Sequence, residues 1–286
     1  MPRIAYVNGA YVQHRDAATH VEDRGYQFAD AVYEVIAIAG RRLLDEEPHL
    51  DRLGHSLSEL GIGWPLVRPA LRYALREVAR ANRVSNGLVY LQVSRGVAKR
   101  DYVPPAGLQP VLVITAKSTP APSEAPGPGV AVISAPDLRW KRVDIKSTGL
   151  LGAAINKQKA RAAGAWECWQ LDERGFVTEG TSSNAWILTH EGELITRPTG
   201  HDILAGITRA TVARVARQLQ LKVVERPFTI AEAQGAREAF MTSATSIVTP
   251  VVRVDGKQVG AGAAGDVVAR LRAEYLRAVG DSEPFW

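Results

Sequence analysis

Short apolar–polar alternations at Arg3 to Val7 and Tyr11 to Gln13 flank Asn8-Gly9. Both central residues tolerate positive φ, so the pattern predicts a two-residue hairpin. Val32 to Ala39, Leu88 to Ser94 and Val111 to Ala116 read as further strands. Between them Val67, Ala70, Leu71, Ala74, Leu75 and Val78 recur at three and four residues, which puts one apolar stripe on an amphipathic helix. His49 to Leu60 predicts a shorter helix. The pattern breaks at Ser118 to Gly129 (STPAPSEAPGPG), where four prolines and two glycines predict a linker. Beyond it, strands are expected at Val130 to Ser134, Trp166 to Leu171, Asn184 to Thr189, Leu221 to Val224, Ala239 to Ser243 and Thr249 to Val254. Helices are expected from near Gly152 to Ala163-Gly164, along the stripe Ile207, Thr211, Val215 and Leu219, and from about Ala263 to Val279. The regular alternation of a doubly wound sheet is missing. The expectation is therefore a mixed α/β (α+β) chain in two domains, a smaller one at 1–117 and a larger one at 130–286, joined by 118–129.

Composition narrows the function classes. A hydrophobic share of 46% against 23% charged residues excludes disorder over most of the chain. The net charge, 35 − 30 = +5, favours small anions and calls for no nucleic acid or membrane partner. Cys168 is the single cysteine, so no internal disulfide asks for an oxidising compartment. The longest apolar runs fall well short of the roughly 18 residues that span a bilayer, and Met1-Pro2-Arg3 opens no secretory segment. A soluble, cytoplasmic protein is expected. Cys168, Trp140, Trp166 and Trp169 read as packing or interface residues.

The familiar phosphate loop, dinucleotide fingerprint, nucleophile elbow and paired-cysteine zinc motif are absent, and no metal centre is expected from the six histidines. Four segments are dense in chemistry. In Val143 to Thr148, Lys146 follows the alternating end of an expected strand; pointing inward near other cations it would lose its proton and become a nucleophile, whereas pointing outward it is an ordinary surface lysine. Val177 to Asn184 places Glu179 before small hydrogen-bonding residues, which also suits a plain polar turn. Leu204 to Arg209 sets Gly206 before a helix whose free amides could hold a phosphate. Met241 to Ser246 offers hydroxyls to the same anion or to its own turn.

In this order the segments resemble the fold-type IV pyridoxal-phosphate enzymes, and among them the D-amino-acid transaminases, over nearly the whole chain. The resemblance is carried by Glu22 to Phe28 running into Val32-Tyr33-Glu34-Val35, by Asp144 to Ser147, by Thr178-Glu179-Gly180 with Ser182-Ser183-Asn184, and by Gly206 to Arg209. It implies a C-terminal domain with a β-barrel-like core and pyridoxal 5′-phosphate as cofactor. It further implies that Lys146 forms the Schiff base and moves the substrate proton, and that Glu179 meets the pyridine nitrogen. Arg52 would hold the phosphate with Ile207 and Thr208 at the helix start, Leu204 beside them, and Ser243 and Thr245 as hydroxyl donors; Ala244 stands where relatives often have threonine. The family's carboxylate trap is matched by Tyr33 and Arg100, with Tyr102 where histidine is usual, the last two lent by the neighbouring subunit of a homodimer. Ala29 and Ala31 replace common glycines, which predicts ordinary backbone angles there.

The reaction implied is ping-pong transfer of the amino group of a D-amino acid, D-alanine or D-glutamate, to a 2-oxo acid. Alternatives within the fold are a branched-chain L-amino-acid or (R)-amine transaminase, or a lyase. A non-catalytic metabolite-binding protein is the alternative outside it.

Overall fold

The computed structural model describes residues 3–279 and 284–285, in two compact units. The first holds the described chain up to Pro122, the segment Ile145–Gly149 and residues 284–285; the second holds Ser123–Asp144 and the described chain from Leu150 onward.

In the first unit Asn8 and Gly9 take φ of 45° and 93° and turn β1 (Ile4–Val7) onto β2 (Ala10–Gln13), as their tolerance of that region predicts. A short helix, α1 (Arg24–Phe28), precedes β3 (Ala31–Ala39) and β4 (Arg42–Leu43). Two longer helices follow, α2 (Glu46–Leu60) and α3 (Arg68–Ala81), then β5 (Gly87–Ser94) and β6 (Val111–Ser118). The six strands form one antiparallel sheet in the order β2-β1-β6-β5-β3-β4. Alternation along β3 turns Val32, Glu34, Ile36 and Ile38 inward, where the three aliphatic side chains join Leu50, Leu53 and Leu57 of α2 and Leu71, Leu75 and Val78 of α3 in one core. Each such side chain contributes roughly 1.5–3 kcal/mol by leaving water. Glu34 is the one charge on that face of β3.

In the second unit the elements are β7 (Val130–Pro136), α4 (Leu151–Ala162), β8 (Glu167–Leu171), β9 (Val177–Gly180), β10 (Asn184–Leu188) and β11 (Glu193–Thr196). They continue as α5 (Ile207–Gln218), β12 (Lys222–Glu225), α6 (Ile230–Gln234), β13 (Glu238–Ser243), β14 (Ile247–Val254), β15 (Lys257–Gln258) and α7 (Asp266–Val279). The nine-stranded sheet runs β12-β11-β10-β13-β14-β7-β8-β9, with β15 on β14. Its last strand, β9, passes into the inner strand β10 through a turn closed by Gly180 N–H on the Ser183 carbonyl at 2.7 Å. The path from β10 out to β9 therefore bends back on itself, and the sheet curls into the barrel-like core that the resemblance implied. Inside lie Trp169, Ile187, Met241 and Phe228. Trp169 is wholly buried, whereas Trp140 and Trp166 keep nearly half their surface in water.

Two local expectations are corrected. Residues around Lys146 are not the end of a strand: only Ser147 forms a bridge, to Val32. Ala29, expected to have ordinary angles, caps α1 in the left-handed region at φ 55°, ψ 25°, where its N–H closes onto the carbonyls of Arg24 and Gly25. Ala31 lies in extended β3, as expected. A Cβ in the left-handed region is unfavourable, and glycine at a helix C-cap relieves it. Ala29→Gly is therefore expected to raise the unfolding free energy by about 0.5–1 kcal/mol, seen as a higher urea midpoint at constant slope; a lower midpoint would contradict the cost assigned to this alanine.

Candidate functional site

Lys146 is fastened through its main chain. Its N–H donates to Ser56 Oγ at 3.1 Å, its carbonyl accepts from Tyr33 N–H at 3.0 Å, and the Thr148 N–H reaches the Ala31 carbonyl at 3.0 Å. Ile145 beside it is buried in the first core. These long-range bonds replace a strand ladder and leave the side chain half-buried, with Nζ 4.4 Å from the centre of the Tyr33 ring. Such an arrangement is a cation–π contact. Tyr33 in turn stacks on Tyr90 at 5.7 Å. Burial, and then the neighbouring Tyr33, push the Tyr90 phenol up to about 12, so the Tyr90 ring stays a neutral backing for Tyr33.

One layer deeper, Glu34 is fully buried and grips Arg52. Arg52 Nε donates to Oε1 and Nη2 to Oε2, both at 2.7 Å, and His49 Nδ1 lies 2.7 Å from Oε2. His49 and Arg52 stand three residues apart on α2 and so share a face. Burial alone would raise the Glu34 pKa, yet the charge and hydrogen bonds of Arg52, with those of His49, outweigh it and hold the carboxyl down to about 2. The bidentate grip fixes the plane of the guanidinium. Glu34 appeared in the sequence only as part of a motif; the signal that could have found its role was a charge in register with Val32, Ile36 and Ile38, since a buried charge needs a partner.

Glu179 lies in the second unit on β9, all four of whose residues are buried. Its carboxylate accepts from Arg139 Nη1, from Asn184 Nδ2 at 2.7 Å and from the Leu204 N–H at 3.1 Å. Arg139, which the sequence reading passed over, also grips Asp137 through Nε at 2.9 Å and Nη2 at 2.6 Å. Burial opposes its charge, but Asp137 and Glu179 together hold the guanidinium well above its ordinary value. Asn184 further donates to the Leu204 carbonyl at 3.0 Å. A Cβ on Gly206 would fall 1.9 Å from Asn184 Oδ1, so only glycine lets the start of α5 come this close.

Among the described residues no side chain caps α5, so the amides of Ile207 and Thr208 open a helix start of positive potential. In the turn from β13 to β14, Ser243 Oγ lies 3.2 Å from Thr245 Oγ1 and 2.8 Å from Ser246 Oγ. Here the hydroxyls meet one another, with Ala244 between them.

The first unit thus gathers Lys146, Tyr33 and, one layer deeper, Arg52. The second gathers Glu179, Leu204, Ile207 and Thr208, with Ser243 and Thr245 in their own turn. Arg100 and Tyr102 lie on an exposed loop of the first unit and gather around Phe28.

The chain is similar to known proteins over most of its length. The profile of the family described as "Amino-transferase class IV" matches residues 31–254. The D-alanine aminotransferase of Bacillus licheniformis is 38% identical over 272 residues, 95% of each chain. That of Staphylococcus haemolyticus is 35% identical over 94% of this chain and 95% of its own. Among solved structures, a branched-chain amino acid aminotransferase of Escherichia coli superposes with a TM-score of 0.91 at 26% identity, covering 100% of this chain and 98% of its own. The T.th. branched-chain amino acid aminotransferase, solved with pyridoxamine 5′-phosphate, gives 0.89 at 29% identity over 99% and 96%.

The folded pKa of Glu34, about 2, lies below its ordinary value of 4.5. Its contribution to stability is therefore complete above the ordinary value and lost as pH falls toward the lower one. Wild type should lose unfolding free energy more steeply than Glu34→Gln across that window in urea titrations at successive pH values. Parallel acid profiles would show that Glu34 is not held ionised.

Proposed function

The chain belongs to the class IV aminotransferases, which depend on pyridoxal 5′-phosphate, and from that premise we propose that its amino donor is a D-amino acid of the D-alanine or D-glutamate type. The acceptor is a 2-oxo acid, and the two half reactions alternate in ping-pong fashion. The observation that carries this reading is the 35–38% identity to D-alanine aminotransferases over nearly the full length of both partners. The branched-chain enzymes share the fold at 26–29% identity.

The side chains present fit that cofactor. When bound, it supplies a carbonyl carbon that takes up the amino group and a ring that accepts electrons from the substrate. An amine, a buried carboxylate, an oriented guanidinium and an uncapped helix start are the complement its aldehyde, ring nitrogen and phosphate require. Lys146 would be the covalent anchor, and its Nζ, released as a neutral amine, would take the proton from the donor's Cα and deliver it to the carbon that has taken up the amino group. Tyr33 backs that amine. Glu179 meets the ring nitrogen, with Arg139, Asn184 and the Leu204 N–H fixing its direction. Arg52, turned by Glu34, holds the phosphate with the amides of Ile207 and Thr208 and the hydroxyls of Ser243 and Thr245. A non-catalytic binding protein would need neither Lys146 nor Glu179.

Tyr33, Arg100 and Tyr102 take the donor's carboxylate. Arg100 supplies a bidentate fork and Tyr102 a neutral donor where a charged histidine would add a cation. Tyr102 is 86% exposed in the single chain, which supports a homodimer in which the Arg100 loop serves the other copy. Cys168, reduced and buried, suits the cytoplasm. No helix among the described residues is long and apolar enough to cross a membrane.

Lys146→Ala is expected to lose the yellow absorbance of the holoenzyme and, with it, turnover by roughly ten-thousand-fold; retained turnover would remove Lys146 from the chemistry. Assays of D-alanine, D-glutamate, L-leucine and (R)-1-phenylethylamine against a common 2-oxo acid should show activity with the D-amino acids first. Activity with L-leucine alone would replace the D-amino-acid reading by the branched-chain one.

A further inference from the structure

Arg24 is an arginine with only 4% of its surface in water, and most of its hydrogen bonding goes to main chain far away in sequence. Nη1 donates to the carbonyl of Asp101 at 2.6 Å and Nη2 to the carbonyl of Tyr102 at 3.2 Å. Nε donates to Asp30 Oδ2 at 2.8 Å. Asp30 is itself held by Arg95, through Nε at 2.7 Å and Nη2 at 2.9 Å, and Arg95 Nη2 also reaches the Leu60 carbonyl at 2.7 Å. The guanidinium of Arg24 is therefore braced from behind while its two terminal nitrogens hold two consecutive carbonyls.

Those carbonyls follow directly on Arg100. The base of the same loop is tied to the same segment by backbone bonds, from Arg24 N–H to the Gly96 carbonyl at 2.9 Å and from Ala98 N–H to the Glu22 carbonyl at 3.3 Å. Phe28 completes the arrangement: the guanidinium carbons of Arg24 and Arg100 each lie 4.7 Å from its ring centre, and the Tyr102 ring lies 5.8 Å away. The side chains of Arg100 and Tyr102 are in water, but the main chain that carries them is not free to wander. A loop ordered before its ligand arrives has already met most of the entropy cost of binding.

We propose that Arg24 is the positioning residue of the carboxylate trap, pinning the Asp101–Tyr102 main chain so that Arg100 and Tyr102 are presented to the substrate in one orientation, with Phe28 as their common backing. This rests on the reading of Arg100 and Tyr102 as carboxylate ligands. It separates two tasks: Arg100 touches the substrate, while Arg24 acts through the loop and touches none of it. Lysine cannot replace it, because a single ammonium lacks the planar fork that reaches Asp30 and both carbonyls at once.

The test compares Arg24→Lys, Arg24→Gln and Arg100→Gln as cofactor-loaded enzymes. Both Arg24 variants should raise KM for D-alanine about tenfold, the value of one charged hydrogen bond, with kcat within about threefold and cofactor affinity unchanged. Amide hydrogen exchange over residues 97–105 should quicken by about tenfold in the Arg24 variants and not in Arg100→Gln. If Arg24→Gln does not fold, the lysine variant alone decides. A raised KM in Arg100→Gln with wild-type KM or wild-type exchange in a folded Arg24 variant would overturn the positioning role. So would an Arg24 variant whose cofactor affinity and kcat fall together, which marks general damage. An unchanged KM in Arg100→Gln would instead overturn the trap on which the inference rests.

Discussion

A carboxylate removed from water stays ionised only where a cation, hydrogen-bond donors or both meet its charge and lone pairs. Among the described residues arginine meets that demand at Glu34 through Arg52, at Asp30 through Arg24 and Arg95, and at Asp137 and Glu179 through Arg139. In each case burial pushes the carboxyl or the guanidinium toward its neutral form, and the paired charge wins. The outcome is orientation more than stability, because a planar fork held on one edge cannot turn. Arg52 is itself assigned to the phosphate, Arg139 holds Glu179 directly, and Arg24 holds the main chain that follows Arg100.

The other recurring device is main chain held by contacts far away in sequence. Lys146 owes its place to Tyr33, Ser56 and Ala31, whose bonds tie Ile145–Gly149 into the first unit although the residues on either side belong to the second. Gly206 lets α5 begin against Asn184, and so joins a helix start to the amide that holds Glu179. The amine and the carboxylate thus reach their settings by different routes, one from the antiparallel sheet of the first unit and one from the curled sheet of the second. The loop of Arg100 repeats the logic with exposed side chains over a pinned backbone.

Much of this was legible in the order of residues along the chain. The stripes of α3 and α5, the alternation of β3 and the Asn8-Gly9 turn each satisfy a local geometric rule, and the structure contains them with boundaries shifted by a few residues. Short elements such as α1, β4, β11 and α6 carry too few residues for a period to show. Glu179 was visible as a candidate, but its setting on a fully buried strand was not distinguishable from a polar turn. Arg139 stands two residues from Asp137 but 40 from Glu179, and nothing local marks it.

Local preference and periodicity determine which segments can be strand or helix and which face is apolar, because those properties depend on residues within a turn or two of one another. The ordered set of motifs, through its resemblance to a known family, also pointed to the class of chemistry. Tertiary structure alone decided that Lys146 lies on no strand, that Ala29 takes a left-handed angle to end α1, and that Arg24 reaches carbonyls 77 and 78 residues away. Charge pairing and hydrogen bonding act through space without regard to chain distance, so their partners exist only once the sheets have brought them together.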